Sequence, residues 1–395
     1  SFPYTAQIEA QMTPQSDRNY YPMIYSGMSK ILFTSWGKEI IRKTYTGIIV
    51  DEYQDCSILQ HQVIIELSSF LPVRILGDPL QGIFGWSNDK MIVWKDIPFP
   101  VIHPLVTPWR WQNTAPELGS WIFKIRNVLL PALDGSSVHV ELVNLPPQVQ
   151  VQRLTGWRPS SCIGLDGITL LITNIPNRQK YLAKQSGGRF FYQEPLECNE
   201  LFEFLRELEN ASGVTRIRII LELTDTCFSN FKTTYSAFFD KVRKGSLDFH
   251  KIRTHKEIEP FIQSFTDTAP FSYQSLLNWF SWVESLSGVN LHRRELIYEI
   301  KRCIKLSVES GDSCSTLAQK LRSFGRHQGN YLKGVRNICS RTVLSKGLEF
   351  DNVIIDMSTP LISAQDFYVA LTRAMKKIII LSDVLEFDLN PQTSK

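Results

Sequence analysis

Short apolar runs and helical apolar spacing alternate along the chain. Segments with a short apolar core occur at 46–56, where the core ends in acids, and at 73–78, 168–174, 352–356 and 376–383. Runs of this length, bounded by turn residues, are typical of buried strands. Helical spacing occupies 58–70, and a further helix is predicted from about Asn177. A strand, a helix and a second strand at this spacing predict a parallel α/β sheet.

Helical patterns dominate from about 200 to 325. The segments LFEFLRELEN, YQSLLNWFSWVESL and RRELIYEIKRCIKL are separated by polar loops there, and strand patterns return only afterwards. We therefore predict an α/β sheet built from separated segments, with a mostly helical insert between them.

Composition sets the protein class but not the function. The chain has 395 residues, which is enough for two or three domains, with 43% hydrophobic and 21% charged residues. No apolar run approaches the roughly 18 residues of a membrane span, and a net charge of +4 neither requires nor excludes a polyanionic partner. Seven cysteines without a C-x-x-C pair favour a reducing compartment such as the cytoplasm, and argue against a structural zinc site.

Acidic residues follow the first apolar run directly. Asp51 and Glu52 come after Gly47–Val50, at the predicted carboxyl end of a parallel strand. Ligands bind at such ends, where one acid can hold Mg²⁺ and a second can deprotonate water. A solvated strand end with a helix N-cap is the alternative, because acids also favour helix starts.

The next strand ends in LGDPLQGIFGW at 76–86. Gln81 presents an amide from the predicted turn, and a glutamine in this setting can sense a γ-phosphate. Phe84 and Trp86 follow, and exposed aromatic rings can stack on nucleic-acid bases. Taken alone, the segment is more typical of a turn with two core aromatics.

Five segments in order resemble the UvrD/Rep family of superfamily 1 helicases. DEYQD and GDPLQGIFGW, about 25 residues apart, resemble that family's second and third motifs. TPWRW at 107–111 stands in the place of the fourth motif, SKGLEFDNVII at 345–355 resembles the fifth, and YVALTRA at 368–374 closely resembles the sixth. The motifs span 51 to 374, and the helical insert matches by position only.

The resemblance implies an ATPase site. Asp51 would bind Mg²⁺, Glu52 would activate water, and Gln81 would couple the γ-phosphate of ATP to the DNA site. Arg110 and Arg373 would act as arginine fingers, because a guanidinium compensates phosphoryl charge without losing its proton.

The resemblance also implies contacts to the nucleoside and to DNA. Trp109 stands where the family has an adenine-stacking tyrosine, Glu349 would accept from the ribose hydroxyl, and Gly347 would let the backbone approach the nucleotide. The residues implied to contact single-stranded DNA are Phe84, Trp86, Thr342 and Ser345.

The sequence departs from the family pattern in two places. It contains no G-x-x-x-x-G-K-[ST], and Gly37-Lys38 lacks both the upstream glycine and the following hydroxyl residue. Without a P-loop the chain is expected to hydrolyse ATP poorly. We expect the start of the first domain to be missing from this chain, and a degenerate helicase-like protein is the alternative. In the fifth motif, Arg341 and Val343 stand in the places of the threonine and the histidine of the family's Thr-x-His. Thr342 can stand for the threonine only after a one-residue shift.

The resemblance implies two RecA-like parallel-sheet domains. The predicted ranges are 1–112 for an incomplete first domain, 113–199 and 326–395 for the second, and 200–325 for its insert. The implied function is an ATP-dependent helicase or translocase, using Mg²⁺ and moving 3′ to 5′ on single-stranded DNA. One alternative is a subunit that senses DNA ends and regulates a partner nuclease, a role associated with compact relatives in bacterial antiphage systems. An inactive scaffold is the third hypothesis, and no membrane partner is predicted.

Overall fold

The computed structural model describes residues 20–32, 34–84, 91–101, 106–162, 165–195, 198–266, 272–323, 335–358 and 363–391. The elements up to residue 192 are α1 Tyr20–Leu32, α2 Ser35–Thr44, β1 Ile48–Val50, α3 Ile58–Ser68, β2 Val73–Ile75, α4 Pro116–Leu129, β3 Val138–Glu141, β4 Val149–Gln152, β5 Thr169–Ile172, α5 Pro176–Gln185 and β6 Phe191–Tyr192.

Helices predominate in the next stretch, and strands return at its end. These elements are α6 Asn199–Asn210, α7 Gly213–Cys227, β7 Phe228–Ser229, α8 Phe231–Thr234, α9 Ser236–Arg243, α10 Glu259–Thr266, α11 Tyr273–Ser285, β8 Asn290–Leu291, α12 Arg294–Ser310, α13 Cys314–Ser323, β9 Asn337–Ser340, α14 Thr342–Ser345, β10 Phe350–Asp356, α15 Ala364–Thr372, β11 Ala374–Leu381 and β12 Glu386–Leu389.

The chain divides into two compact units. The first consists of Ser1–Leu154 and Ser345–Lys395, and the second of Thr155–Leu344. Both contain parallel strands and helices, so the predicted mixed α/β class is confirmed. The predicted domain boundaries and the RecA-like identity of the two domains stay predictions. Of the helices described, none is long and apolar enough to cross a bilayer.

The first unit is built on a parallel three-strand arrangement in the order β4, β11, β10. Val353 pairs with Ile378, and Ile378 pairs with Val149 on the other side. The apolar runs of β10 and β11 are buried almost throughout, as expected for parallel strands with both faces covered. Strands β3 and β12 form a separate antiparallel pair.

Strands β1 and β2 also pair in parallel, but they are shorter and more exposed than the sequence pattern predicts. Ile48 pairs with Val73, and Val50 with Ile75. The prediction of buried strands is wrong here, because Ile49 is 71% exposed and both strands are only partly covered. Two three-residue strands cannot form two covered faces by themselves. Helix α3 between them begins with a Ser57–Gln60 capping box, which satisfies its first free N–H groups.

The second unit combines parallel strands β5, β9 and β6 with a helical core. Leu170 pairs with Ile338, which also pairs with Phe191. The helices between 199 and 323 bury one continuous apolar cluster. Trp279 lies in this cluster fully buried, and its indole N–H donates to Thr224 Oγ1 at 2.9 Å. The predicted helical insert therefore consists of helices that share a core of their own.

Candidate functional site

The acids predicted to form the catalytic centre lie directly after β1, in the first unit. The backbone N–H of Glu52 donates to Asp51 Oδ1 at 2.8 Å. Glu52 has φ +52°, in the left-handed region that non-glycine residues seldom adopt. Such a conformation costs about 1–3 kcal/mol and concentrates at functional sites, so the bend after β1 is a strained position carrying an exposed acid.

A buried glutamine connects the end of β1 to the end of β2. Gln54 Nε2 donates to Glu52 Oε2 at 2.5 Å, and Gln54 Oε1 accepts from the backbone N–H of Asp78 at 3.0 Å. Gly77 is required beside it, because a Cβ there would lie 2.6 Å from Gln54 Oε1 and 2.9 Å from the Trp94 ring. The glutamine thus fixes the orientation of Glu52 relative to the turn that carries Gln81.

Lys346 joins the second, third and fifth motifs. Its Nζ donates to Asp55 Oδ2 at 2.5 Å and to the backbone carbonyl of Gln81 at 2.6 Å. The ammonium also lies 3.7 Å from Glu52 Oε2 and 5.2 Å from the centre of the Phe84 ring. Its side chain is 7% exposed. Burial raises the pKa of Asp55, and the neighbouring Lys346 opposes that rise.

Arg373 from the sixth motif is buried against the same turn. Its guanidinium donates to Gln81 Oε1 at 3.2 Å, to Thr372 Oγ1 at 2.9 Å and to the carbonyls of Val369 and Leu348 at 3.0 and 3.2 Å. Burial, with a smaller effect of nearby Arg110, lowers the pKa of Arg373 to about 10. The side chain therefore stays charged at neutral pH while all four of these bonds go to protein atoms.

Arg110 lies beside the residues that directly precede strands β10 and β11. Its Nη2 pairs with Glu349 Oε1 at 2.8 Å, and its Nη1 donates to the backbone carbonyl of Thr372. The neighbouring Trp111 is buried and donates its indole N–H to the carbonyl of Ala374 at 2.7 Å. Arg110 is thus anchored on the segment that carries Arg373, and Glu349 is engaged in the ion pair.

The two remaining positions predicted to contact the nucleoside differ in exposure and backbone. Trp109 is 70% exposed in a 3-10 turn, so most of its surface is open to solvent. Gly347 has φ +77°, a left-handed conformation that accounts for glycine at this position. Space is not the reason, because a Cβ at this position would have no atom within 4 Å.

The four predicted DNA contacts are placed unevenly. Phe84 lies against Lys346, whereas Trp86 lies outside the described residues. Thr342 and Ser345 are both buried, and the Thr342 hydroxyl donates to Asn174 Oδ1 at 3.1 Å. A DNA contact by these two hydroxyls stays a prediction, and it would require their exposure.

The structure links Glu52 to the Gln81 turn through side chains that the sequence pattern did not single out, whereas Arg373 bonds to Gln81 directly. Gln54, Asp55 and Lys346 all stand inside the quoted motifs, but no role was assigned to them. In the sequence they are recognisable only as polar residues near the predicted strand ends. The fold reveals that Lys346, in the fifth motif, bonds to both the second and the third motif.

Asp51 and Glu52 are suited to a Mg²⁺ ion shared with phosphate and water, and not to an ion coordinated by protein side chains alone. Among the described side chains, neither acid belongs to a group of three that could enclose an ion. Mg²⁺ usually binds one or two carboxylates together with phosphate oxygens and water. An exposed carboxylate at the end of a parallel strand matches that coordination preference, so Asp51 is the residue that would hold Mg²⁺ alongside a nucleotide.

Comparison with known families bears directly on these motifs. Residues 17–92, which include both DEYQD and GDPLQ, match the model of the UvrD/REP helicase N-terminal domain. This stretch of the chain is UvrD/Rep-like. The predicted recognition is therefore confirmed, and the family implies nucleotide use and DNA binding in general terms. No curated protein sequence matches the chain.

Proposed function

We propose that this UvrD/Rep-like protein is an ATP-dependent DNA helicase or translocase. Its substrate would be single-stranded DNA, with 3′ to 5′ movement and two RecA-like domains. The observation that carries the proposal is the junction at Gln81. Its carbonyl accepts from Lys346 and its amide oxygen from Arg373, so the second, third, fifth and sixth motifs are linked at one turn.

The roles of the acidic and basic residues follow from their positions. A bound Mg²⁺–ATP would supply the phosphoryl group and the charge to be compensated. Glu52, held by Gln54, would accept a proton from the attacking water. Arg373 would stabilise the charge that develops on the phosphoryl oxygens, and Arg110 would do so after release from Glu349.

The link to DNA runs through the loop that follows Gln81. Phe84 lies three residues further along the chain and contacts the same ammonium as the Gln81 carbonyl. A change in the bonding of Gln81 would therefore reach an aromatic ring suited to base stacking. Trp86 would provide a second stacking surface.

Hydrolysis and strand separation need to be measured in the full-length protein encoded by the gene. DNA-stimulated ATPase activity is expected, and Glu52→Gln should lower it by about 10²–10⁴-fold, the usual contribution of a general base. Glu39→Gln is the matched control, because Glu39 is an exposed acid that pairs with Lys43 on helix α2. Equal activity of Glu52→Gln and wild type would refute the assignment of the base.

A DNA-sensing subunit that regulates a nuclease is the second candidate. The sequence favours neither function decisively, because both would use the same motifs. A strand-displacement assay separates the two functions. DNA binding without displacement of a labelled strand, in the presence of ATP, would favour the sensor over the motor.

A further inference from the structure

The antiparallel pair β3–β12 carries four ligating side chains on one face, outside the motif junction. Along β3, Val138 and Val140 are buried whereas His139 and Glu141 are exposed. The register places Glu386 opposite Glu141, and Asp388 opposite His139. Because side chains alternate between the two faces of a strand, all four project from the same face.

The distances between the ligating atoms are close to those of a metal centre. His139 Nε2 lies 3.8 Å from Glu141 Oε1 and 4.0 Å from Glu386 Oε2. The ligating atoms of the three residues lie within 4.8 Å of one another. Ligands about 2.0–2.2 Å from a tetrahedral Zn²⁺ are roughly 3.3–3.5 Å apart. The pairs that include His139 would have to close by about 0.3–0.7 Å, and the widest pair by up to about 1.5 Å, to reach this spacing. All three side chains are exposed, which leaves room for such movement.

The fourth side chain orients the imidazole. His139 Nδ1 lies 2.8 Å from Asp388 Oδ1. With the proton on Nδ1, this bond leaves Nε2 as the ligating nitrogen, and Nε2 is the ring atom that lies 3.8 and 4.0 Å from the two glutamates. A histidine whose other nitrogen donates to a carboxylate is the usual arrangement at protein metal centres.

The register of the β3–β12 pair favours a cation between Glu141 and Glu386. Glu141 and Glu386 are directly opposite each other, and like charges at facing strand positions destabilise a pair. Strand β12 is nevertheless held in place by packing on its opposite face. Phe387, which lies between the two acids of β12, packs edge-on against Phe367 with 5.6 Å between the ring centroids. The face therefore holds two facing carboxylates and one oriented imidazole on paired strands.

We propose that His139, Glu141 and Glu386 form a surface site for a divalent transition metal of the Zn²⁺ class, with Asp388 as the positioning residue. Imidazole nitrogen in the ligand set selects Zn²⁺ over Mg²⁺ and Ca²⁺, which prefer oxygen alone. Three protein ligands leave a fourth position for water or an external ligand. The bound metal would join β12 to β3.

The test is Zn²⁺ titration of the full chain by calorimetry, repeated with Co²⁺ to record its absorption spectrum. Wild type should bind one more equivalent of Zn²⁺ than His139→Ala, and Glu141→Gln should weaken that site at least tenfold. Asp388→Asn should weaken it by about 10–100-fold, as expected for a partner of a ligating histidine. Far-UV circular dichroism and melting midpoints verify that each variant is folded.

His255→Ala is the matched control, because His255 is an exposed histidine that pairs with one carboxylate, Glu257, at 3.4 Å. It should keep the wild-type stoichiometry and affinity. The proposal is overturned if wild type binds no Zn²⁺ at about 100 µM, or if His139→Ala binds as tightly and with the same stoichiometry as wild type. In either case the cluster would be a protonated histidine among carboxylates and nothing more.

Discussion

Replacement of Lys346 by methionine tests whether the motif junction holds the first unit together. The change keeps the length of the aliphatic chain and removes the ammonium. It deletes the bonds to Asp55 and to the Gln81 carbonyl, and the contact with the Phe84 ring. Asp55 then remains as a carboxylate whose side chain is only 21% exposed, with its Oδ1 already lacking a partner among the described residues.

The magnitude follows from the burial of the two partners. Removing one member of a buried ion pair costs about 3–5 kcal/mol, because the other charge is left without compensation. Asp55 retains some solvent and can be protonated, since burial already raises its pKa. We therefore expect a loss of about 2–4 kcal/mol in the free energy of unfolding. This corresponds to a fall of roughly 5–12 °C in the melting midpoint.

The assay is urea unfolding followed by tryptophan fluorescence and far-UV circular dichroism. Lys301→Met is the matched control, because Lys301 forms a similar pair with Glu284 at 2.7 Å but at the surface. Its loss should be about 0.2–1 kcal/mol. The double variant Asp55→Asn with Lys346→Met should recover part of the stability, since no unpaired charge remains. A Lys346 variant no less stable than the Lys301 control would refute the reasoning.

Three further outcomes are expected. Arg293→Met should lower the unfolding free energy by about 3–5 kcal/mol in urea titrations, because it leaves fully buried Glu194 unpaired, and Glu194→Gln should restore part of that loss. Burial, with the charge of Arg293, lowers the pKa of His292 to about 3. The folded state therefore binds fewer protons than the unfolded state below about pH 6.5. As the pH is lowered from roughly 6.5 to 3, this group should reduce the free energy of unfolding by about 1.4 kcal/mol per pH unit. His292→Gln should remove that slope in melts recorded at a series of pH values. Gln81→Ala should keep basal ATPase activity in the full-length protein but lose DNA stimulation, which a nucleotide-hydrolysis assay with and without oligonucleotide measures.

The sequence predicted the elements whose periodicity is reinforced by their surroundings. Strand β10 and strand β5 are buried apolar runs, and the amphipathic spacing of 201–210 corresponds to helix α6. These signals are local, because an apolar residue in such a run has a single favourable environment. The start of helix α3 could also be predicted from the sequence, because its capping box consists of four consecutive residues.

Neither the exposure of β1 nor the role of Lys346 could be predicted from the pattern of neighbouring residues in the sequence. Whether Ile49 is covered depends on which residues lie beside a three-residue strand, and no property of that strand specifies its neighbours. Lys346 contacts residues about 290 and 265 positions away in sequence. A lysine in a motif indicates that charge is needed, but its partners are fixed only when the chain brings distant turns together.

The state of Arg373 determines how a nucleotide could act on the junction. Four of the five N–H groups of the Arg373 guanidinium already donate to protein acceptors, so a bidentate contact with a phosphate requires the exchange of at least one of these bonds. The other three acceptors are the Val369 carbonyl on the same helix, the Leu348 carbonyl in the fifth motif and the hydroxyl of the adjacent Thr372. Only the Gln81 bond therefore joins Arg373 to the third motif. Exchange of Gln81 for a phosphate oxygen, a stronger charge-assisted acceptor, would release the glutamine amide. Because Lys346 still holds the Gln81 carbonyl, the released amide rather than the whole turn would change its contacts next to the loop that carries Phe84.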